Sequence, residues 1–399
     1  MPQSHAHNKY SLRRPWRRVT KEVCTNEVLY LRREDLAFGQ LLGEGGFAQV
    51  FEVTRHPLSL FRIEAKENKY VHGKIKLFSC PRFAVKVVRQ ELLHHQDRFR
   101  KAADDLVNEA RILSMLDHPN IIKLRALSSH SVRPLASENR YDEFFLVTDR
   151  LRETLATRID RWKNERTLTQ SLLTTQKLSY ALQLAQALQY LHSRNILMRD
   201  VKPDNIGFIN DHTLQLFDFG LSRQLSTLKE NCKEGGYQIT ICGTLRYLPK
   251  EVLVDGRHTL KFDVYSFAMV FWEMLTHEKP FHYMTPAVHR ILVCERGERP
   301  PLGKYGFPQH IRNLLNLAWA DRVEDRLSIN QVCDQLHWIL QTKVGASTKG
   351  GDAASQPLAS RDCNKKSSKF SLINANQSYE EGLEVSLHGA VTPALTISY

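Results

Sequence analysis

The chain is poor in cysteine and has no long apolar run. A helical membrane span needs roughly 20 consecutive apolar residues, and no such run occurs among the 399 residues. The 7 cysteines are scattered and include no Cys-x-x-Cys pair. This argues against a disulfide framework or a zinc site. We therefore expect no membrane span, reduced thiols and a cytoplasmic location.

Acidic residues are missing from the start of the chain, where the first is Glu22. Such a basic segment can be a solvated tail, a contact for nucleic acid or acidic membrane, or a targeting peptide. Composition favours the tail, while nuclear or organellar targeting stays open. The basic residues before Glu22 are Lys9, Arg13, Arg14, Arg17, Arg18 and Lys21.

The rest of the composition is that of an ordinary globular protein. Hydrophobic residues make up 42% and charged residues 25% of the sequence, which is the usual balance. A chain of 399 residues exceeds the size of a single hydrophobic core. We expect two domains, or two lobes with tails.

A carboxylate, an ammonium and an amide lie close together at Asp200, Lys202 and Asn205. A second carboxylate, Asp218, follows the next apolar stretch. Turn-forming residues interrupt the apolar residues of 206–217, which predicts a short hairpin. Strand pairing in this hairpin would bring Asn205 and Asp218 together.

Three glycines, Gly43, Gly45 and Gly46, lie between strands predicted at 36–42 and 49–54. A dinucleotide-binding glycine loop is followed by a helix, so a hairpin argues against a Rossmann site. The hairpin resembles the glycine-rich lid of protein kinases, whose backbone N–H groups can approach phosphates because glycine has no Cβ. An ordinary glycine-rich turn is the alternative.

Lys86 interrupts an apolar strand predicted at 83–88. A lysine in a buried strand is costly unless it is paired. Apolar residues at helical spacing over 104–116 place Glu109 on a helix, and we expect Glu109 to pair with Lys86. The alternatives are a solvent-facing lysine and a surface glutamate.

In this order, the motifs resemble those of eukaryotic-type protein kinases over roughly residues 35–342. The Asp-x-Lys-Pro-x-Asn form resembles the serine/threonine class. The C-lobe also resembles that of the tyrosine-kinase-like branch at Trp319, Ser328 and Gln331.

The resemblance implies an α+β, bilobal protein kinase fold. The small N-lobe would have five antiparallel strands, including strands at 121–124 and 144–148, and one main helix. The C-lobe would be larger and mostly helical. The implied divisions are a basic disordered segment at 1–34, an N-lobe at 35–148, a hinge at 149–151, a C-lobe at 152–342 and a disordered tail at 343–399.

The implied activity is transfer of the γ-phosphate of ATP to Ser or Thr hydroxyls of a protein substrate. Asp200 would accept the hydroxyl proton, and Lys202 would offset charge on the γ-phosphate. Lys86, held by Glu109, would position the α- and β-phosphates. A pseudokinase that binds ATP without efficient transfer is the alternative.

The implied cofactors are ATP and Mg²⁺, with no other metal. Asn205 and Asp218 would hold the Mg²⁺. Thr148 would lie at the back of the adenine pocket. The residues implied around the nucleotide are Gly43, Gly45, Gly46, Val50, Ala84, Lys86, Thr148, Asp149, Leu151 and Asn205.

The polar stretch 221–241 resembles an activation segment. Arg199 is the expected docking cation for a phosphate added there. The implied partners are a protein substrate and an upstream kinase, unless the chain phosphorylates itself; nucleic acid is not expected. The candidate phosphoacceptors are Ser222, Ser226, Thr227, Tyr237 and Thr240.

Two further contacts follow from the resemblance. Glu251 would pair with a buried Arg326, and Asp263 would bind the backbone of the catalytic loop. The family's Ala-Pro-Glu is Pro249-Lys250-Glu251 here, a change that bears on substrate docking.

Two departures concern packing. Met198 replaces the family's His and would pack against Phe219, in a stack that continues through Leu113 and Leu124. Gly207 stands where a larger apolar residue usually lies beneath the adenine. The floor of the adenine pocket is then either open or filled by Ile206.

No role is assigned to the basic insert at 55–82. For the tail, a passive role is favoured over a docking or autoinhibitory one.

Overall fold

The computed structural model describes residues 28–55, 83–129, 144–164, 170–228, 235–348 and 396–398. The basic start, nearly all of the insert and most of the tail lie outside these described residues. The expectations for those segments therefore stay predictions.

The N-lobe is built on a six-stranded sheet with the order β1-β5-β6-β4-β3-β2. Five antiparallel strands are present, four of them where the sequence predicted, and β1 adds a sixth that runs parallel to β5. The first strand therefore begins before the domain boundary expected at residue 35. The strands are β1 (Leu29–Leu31), β2 (Ala37–Glu44), β3 (Ala48–Arg55), β4 (Phe83–Val88), β5 (Leu124–Ser128) and β6 (Phe145–Asp149).

The strand predicted at 121–124 is wrong, because β5 begins only at Leu124. Ile122 N donates instead to Leu216 O at 3.0 Å, and Ile121 forms an isolated bridge with the same residue. The apolar residues at 121 and 122 thus join the two lobes.

Helix α1 (Gln96–Leu113) packs against the sheet with Leu106, Ala110 and Leu113 buried. Strand β4 is buried at every position except Lys86, which is half-buried. Its faces join two hydrophobic clusters, one with Val85 and one with Val88. This is why β4 reads as a continuous apolar run.

The C-lobe surrounds one central helix, α5, which is buried from Phe262 to Met274. Its last helix, α8, extends beyond the boundary expected at residue 342, since it ends at Thr348. The helices are α2 (Leu155–Asn164), α3 (Gln170–His192), α4 (Lys250–Asp255), α5 (Lys261–Thr276), α6 (Pro286–His289), α7 (Gln309–Ala318) and α8 (Ile329–Thr348).

The remaining strands are short and pair outside the six-stranded sheet. The predicted hairpin is confirmed by the pairing of β9 with β10, and Phe217 N closes it by donating to Asn205 O at 3.0 Å. The strands are β7 (Glu153–Thr154), β8 (Ile196–Leu197), β9 (Ile206–Phe208), β10 (Leu214–Leu216), β11 (Arg223–Gln224), β12 (Tyr237–Gln238), β13 (Cys242–Thr244), β14 (Arg257–His258) and β15 (Thr396–Ser398).

The last strand, β15, is distant in sequence from its partner. It pairs in parallel with β13, which follows the activation segment. Within the described ranges, no helix is both long and apolar enough to cross a membrane.

Candidate active site

Lys86 joins two carboxylates that lie far apart in the sequence. Its Nζ lies 2.6 Å from Glu109 Oε2 and 2.7 Å from Asp218 Oδ1. Burial opposes the charged form of Lys86, but Asp218 and Glu109 outweigh it and raise the pKa of the ammonium. The structure thus places Lys86 as the sequence predicted, with Asp218 as a second partner.

Helix α1 also fixes the loop that carries Asp218. Phe219 N donates to Glu109 Oε1 at 3.2 Å. Asn108 Nδ2 donates to the carbonyls of Gly220 and Ser222, both at 2.9 Å. No local pattern marks Asn108, because its partners lie more than 100 positions away. Its contacts hold the loop against α1.

Asp200 is the centre of a second polar group. Its Oδ2 lies 2.9 Å from Lys202 Nζ and accepts from Asn205 Nδ2 at 2.8 Å. Thr244 Oγ1 accepts from Lys202 Nζ at 3.2 Å and donates to Asp200 Oδ1 at 3.5 Å. Burial raises the pKa of the Asp200 carboxyl, and Lys202 acts in the opposite direction. Thr244 is a contact that the sequence did not reveal.

Asp263, a buried carboxylate of α5, holds the loop that carries Asp200, which we call the catalytic loop. Its two oxygens accept from Met198 N at 2.9 Å and Arg199 N at 3.0 Å. Arg199 adopts φ 71° and Asp218 φ 65°, a left-handed conformation that costs free energy in residues other than glycine. The Asp263 contacts offset this cost at Arg199.

The departure at Met198 is a packing change. Met198 is fully buried in the same hydrophobic cluster as Leu113, Leu124 and Phe219. Methionine adapts to irregular apolar space, and the charged groups beside it keep their contacts.

The glycine turn has open space beside its backbone. A Cβ added at Gly43 or Gly46 would meet nothing within 4 Å, so a ligand has room to approach this backbone. Arg89 holds the turn from below. Its Nη2 lies 2.7 Å from Glu44 Oε1, and its Nη1 donates to Gly45 O at 3.3 Å. The sequence did not reveal Arg89.

The expected back wall of the adenine pocket lies on the sheet. Thr148 is buried opposite Ala84, and Val50 lies opposite Lys86. Asp149 is the last residue of β6. Arg125 donates to both of its carboxylate oxygens, at 2.7 and 2.9 Å, and Asp149 N donates to Lys123 O at 3.3 Å, so the side chain is held away from a ligand.

Leu151 covers the position that Gly207 leaves empty. A Cβ added at Gly207 would lie 2.6 Å from Leu151 Cδ1. Ile206 cannot fill this space, because neighbouring residues of a strand face opposite sides, and Ile206 is buried in the core. The alternative of Ile206 as the floor is therefore wrong.

The activation segment engages Arg199 through its backbone. Arg199 Nη1 donates to Leu221 O at 3.1 Å, and Nη2 donates to Thr240 O. Ser222 is fully buried, and its Oγ donates to Met198 O at 3.3 Å. Ser222 is therefore not available as a phosphoacceptor in this conformation. The other candidates are more accessible: Ser226, Thr227 and Thr240 are exposed and Tyr237 is half-buried.

Helix α4 is tied to the rest of the C-lobe by ion pairs. Arg326 Nη1 and Nη2 donate to Glu251 Oε1 and Oε2 at 2.7 and 3.2 Å, with both side chains buried. Lys250, which departs from the family pattern, forms a second, half-exposed ion pair with Asp321. Arg299 shares Asp321 at 3.2 Å.

The site offers hard oxygen donors to a divalent cation. Asn205 Nδ2 donates a hydrogen bond to Asp200. The amide oxygen of Asn205 and the Asp218 carboxylate are therefore the atoms that remain to bind a cation. Carboxylate and amide oxygens suit Mg²⁺. Within the described ranges, no cluster of His, Cys, Asp and Glu residues forms a further metal site.

Comparison with known proteins shows which family the chain resembles. The model of the family described as protein kinase domain matches residues 71–339. Serine/threonine/tyrosine-protein kinase HT1 of Arabidopsis thaliana is 28% identical, over 62% of this chain and 58% of that protein. Mitogen-activated protein kinase kinase kinase 7 of Drosophila melanogaster is 29% identical, over 65% of this chain and 36% of that protein.

A third relative, serine/threonine-protein kinase TNNI3K of Mus musculus, is 32% identical over 47% of this chain and 22% of that protein. The chain thus spans less than two thirds of the length of each of these relatives. The family match itself covers more than half of the chain. From the paired charges, the bilobal α+β fold and this match, we conclude that the chain belongs to the protein kinase family.

Proposed function

We propose that the chain transfers the γ-phosphate of ATP to Ser or Thr hydroxyls of protein substrates, with Asp200 as the catalytic base. The observation that carries this proposal is the presence of two groups of paired charges. Lys86 contacts Asp218, and Asp200 contacts Lys202 and Asn205. In phosphoryl transfer the protein supplies position and charge neutralisation, so these residues carry the activity.

Asp200 receives the proton of the substrate hydroxyl while the oxygen attacks the γ-phosphorus. A carboxylate with a raised pKa accepts a proton more readily near neutral pH, and burial raises the pKa of Asp200. Lys202 lies within 3 Å of the same carboxylate, at 2.9 Å. Its charge offsets the negative charge of the phosphoryl group as the bond to the β-phosphate oxygen breaks.

The nucleotide would lie between the glycine turn and the floor formed by Leu151 and Gly207. Lys86 binds the α- and β-phosphates, and Glu109 fixes the direction of its ammonium. Mg²⁺, when bound, would neutralise charge on the phosphates. Asn205 and Asp218 are the residues that would hold it.

The serine/threonine preference rests on Lys202 and on the names of the relatives. The printed name of the Arabidopsis relative also includes tyrosine. The acceptor assay therefore uses three peptides that differ only in Ser, Thr or Tyr. We expect transfer to the Ser and Thr peptides.

The test of the mechanism is radiolabel transfer from Mg-ATP by the purified full chain. Asp200→Asn should lower transfer by at least about 100-fold, since general-base catalysis contributes 10²–10⁴-fold, while a fluorescent ATP analogue still binds. The matched control is Asp204→Asn, an exposed carboxylate in the same loop, which should retain activity. Equal rates in the wild type and Asp200→Asn would refute the role of Asp200. Nucleotide binding without transfer by the wild type would favour the pseudokinase alternative.

A further inference from the structure

Strand β15 lies beside the segment that contacts the catalytic residues. Its parallel register pairs Thr396 with Cys242, Ile397 with Gly243 and Ser398 with Thr244. Neighbouring strands in a sheet lie about 4.8 Å apart. The last described residues of the chain therefore lie one strand spacing from β13.

Strand β13 forms part of the wall of the catalytic group. Thr244 Oγ1 lies 3.2 Å from Lys202 Nζ and 3.5 Å from Asp200 Oδ1. A Cβ added at Gly243 would lie 3.6 Å from Asp200 Oδ1. A polypeptide paired with β13 thus runs one strand spacing from residues that themselves contact the catalytic carboxylate.

A protein substrate needs the same space. Its hydroxyl must come within hydrogen-bond distance of Asp200, about 3 Å, so its backbone must pass close to β13. Among the described residues, the only strand that pairs with β13 is β15. Removing β15 would leave an open edge, and an open edge accepts extended peptides through main-chain hydrogen bonds.

The sequence of β15 suits strand addition. Thr396 and Ile397 are β-branched, and the strand carries no charge. Such residues favour extended structure. No β-breaking residue lies within it.

We propose that β15 is an intramolecular occupant of the substrate-docking edge, which adds to β13 as a strand and excludes protein substrates. This rests on the proposed kinase function, because the excluded molecule is the phosphate acceptor. The occupant is a named part of this chain. Substrates would accordingly dock in an extended conformation along the same edge.

The test compares the full chain with a variant that lacks residues 396–399 and with Ile397→Pro. Proline has no N–H and is excluded from paired strand interiors. Ile397→Val is the matched control, since it keeps both the N–H and the β-branched shape. The first readout is amide hydrogen exchange over 242–244, measured without ATP. We expect at least about tenfold faster exchange in the deletion and in Ile397→Pro, with wild-type exchange in Ile397→Val.

The second readout is steady-state transfer to a peptide acceptor. The deletion and Ile397→Pro should lower the KM for the peptide at least about fivefold, the lower end of intramolecular coupling, while kcat and the KM for ATP stay unchanged. A synthetic peptide of residues 392–399, added to the deletion variant, should inhibit competitively with the acceptor peptide.

Unchanged exchange at 242–244 after deletion would overturn the proposal. An unchanged KM for the peptide in an active enzyme would also overturn it. If no form of the chain transfers phosphate but deletion still speeds exchange, the docking of β15 stands and the kinase function fails. The two ideas are thereby separated.

Discussion

The buried pair between Glu251 and Arg326 gives a quantitative stability prediction. Glu251→Gln keeps the shape of the side chain but removes the charge that faces the guanidinium. Arg326 is fully buried and Glu251 is 5% exposed in its side chain. Solvent therefore cannot replace the lost partner.

The expected cost follows from the contacts of each side chain. Loss of one partner from a buried ion pair costs about 3–5 kcal/mol. Arg326 also donates to the carbonyls of Lys261 and Ala320, at 3.0 and 3.1 Å, and these keep part of the cation satisfied. We therefore expect Glu251→Gln to lower the free energy of unfolding by about 3 kcal/mol.

Arg326→Met should cost more, about 5 kcal/mol, because it leaves a buried carboxylate and two carbonyls without donors. The double variant Glu251→Gln/Arg326→Met removes both charges. Its cost should be smaller than the sum of the single costs by at least about 2 kcal/mol, the coupling expected of residues in direct contact.

The measurement is urea unfolding, followed by circular dichroism, of the wild type, the two single variants, the double variant and one control. Lys250→Ala is the control, because its neighbouring ion pair with Asp321 is half-exposed and should contribute less than about 1 kcal/mol. A cost below about 1 kcal/mol for Glu251→Gln, or strict additivity in the double variant, would refute the reasoning from burial.

Three further predictions concern single sites. Gly207→Ala should weaken binding of a fluorescent ATP analogue a few-fold, because the new methyl displaces Leu151, and Leu151→Ala should partly restore it; unchanged affinity in Gly207→Ala would exclude Leu151 as the floor. Burial raises the pKa of Glu273 from its usual 4.5 to about 7, so its contribution to stability is full below pH 4.5 and is lost as the pH rises through about 7. Urea unfolding at several pH values should show that Glu273→Gln removes this loss. The same dependence of the free energy of unfolding on pH in wild type and variant would contradict the prediction. Arg89→Ala should raise the KM for ATP in the transfer assay by freeing the glycine turn at Glu44, and an unchanged KM would show that the turn needs no such support.

The sequence predicted those parts of the site in which burial leaves a residue few choices. Lys86 in an apolar strand required a carboxylate partner, and the helix supplied Glu109. The hairpin between Asn205 and Asp218 followed from turn residues between two short apolar runs. Both predictions use local patterns, and both agree with the contacts in the structure.

Contacts between distant segments could not be predicted in this way. Asn108 acts through backbone carbonyls, which every residue possesses, so no side-chain pattern marks its partners. Arg89 pairs with Glu44, a contact between separate segments that no local pattern marks. Leu151 covers Gly207 only because β7 and β9 pair. Ser222 looks like any hydroxyl in a polar loop until its burial is known.

The central helix α5 has a consequence for how the C-lobe unfolds. Asp263 holds the catalytic loop, Ser266 Oγ donates to Tyr247 O at 2.8 Å, and the carbonyl of Lys261 accepts from Arg326. The loop that carries Asp200 and the segment that leads into helix α4 are thus both held by α5, a helix that is buried on all sides. Loss of α5 would remove all of these contacts at once. The catalytic loop and the end of the activation segment should therefore form one cooperative unit, and melt together rather than loosen one by one.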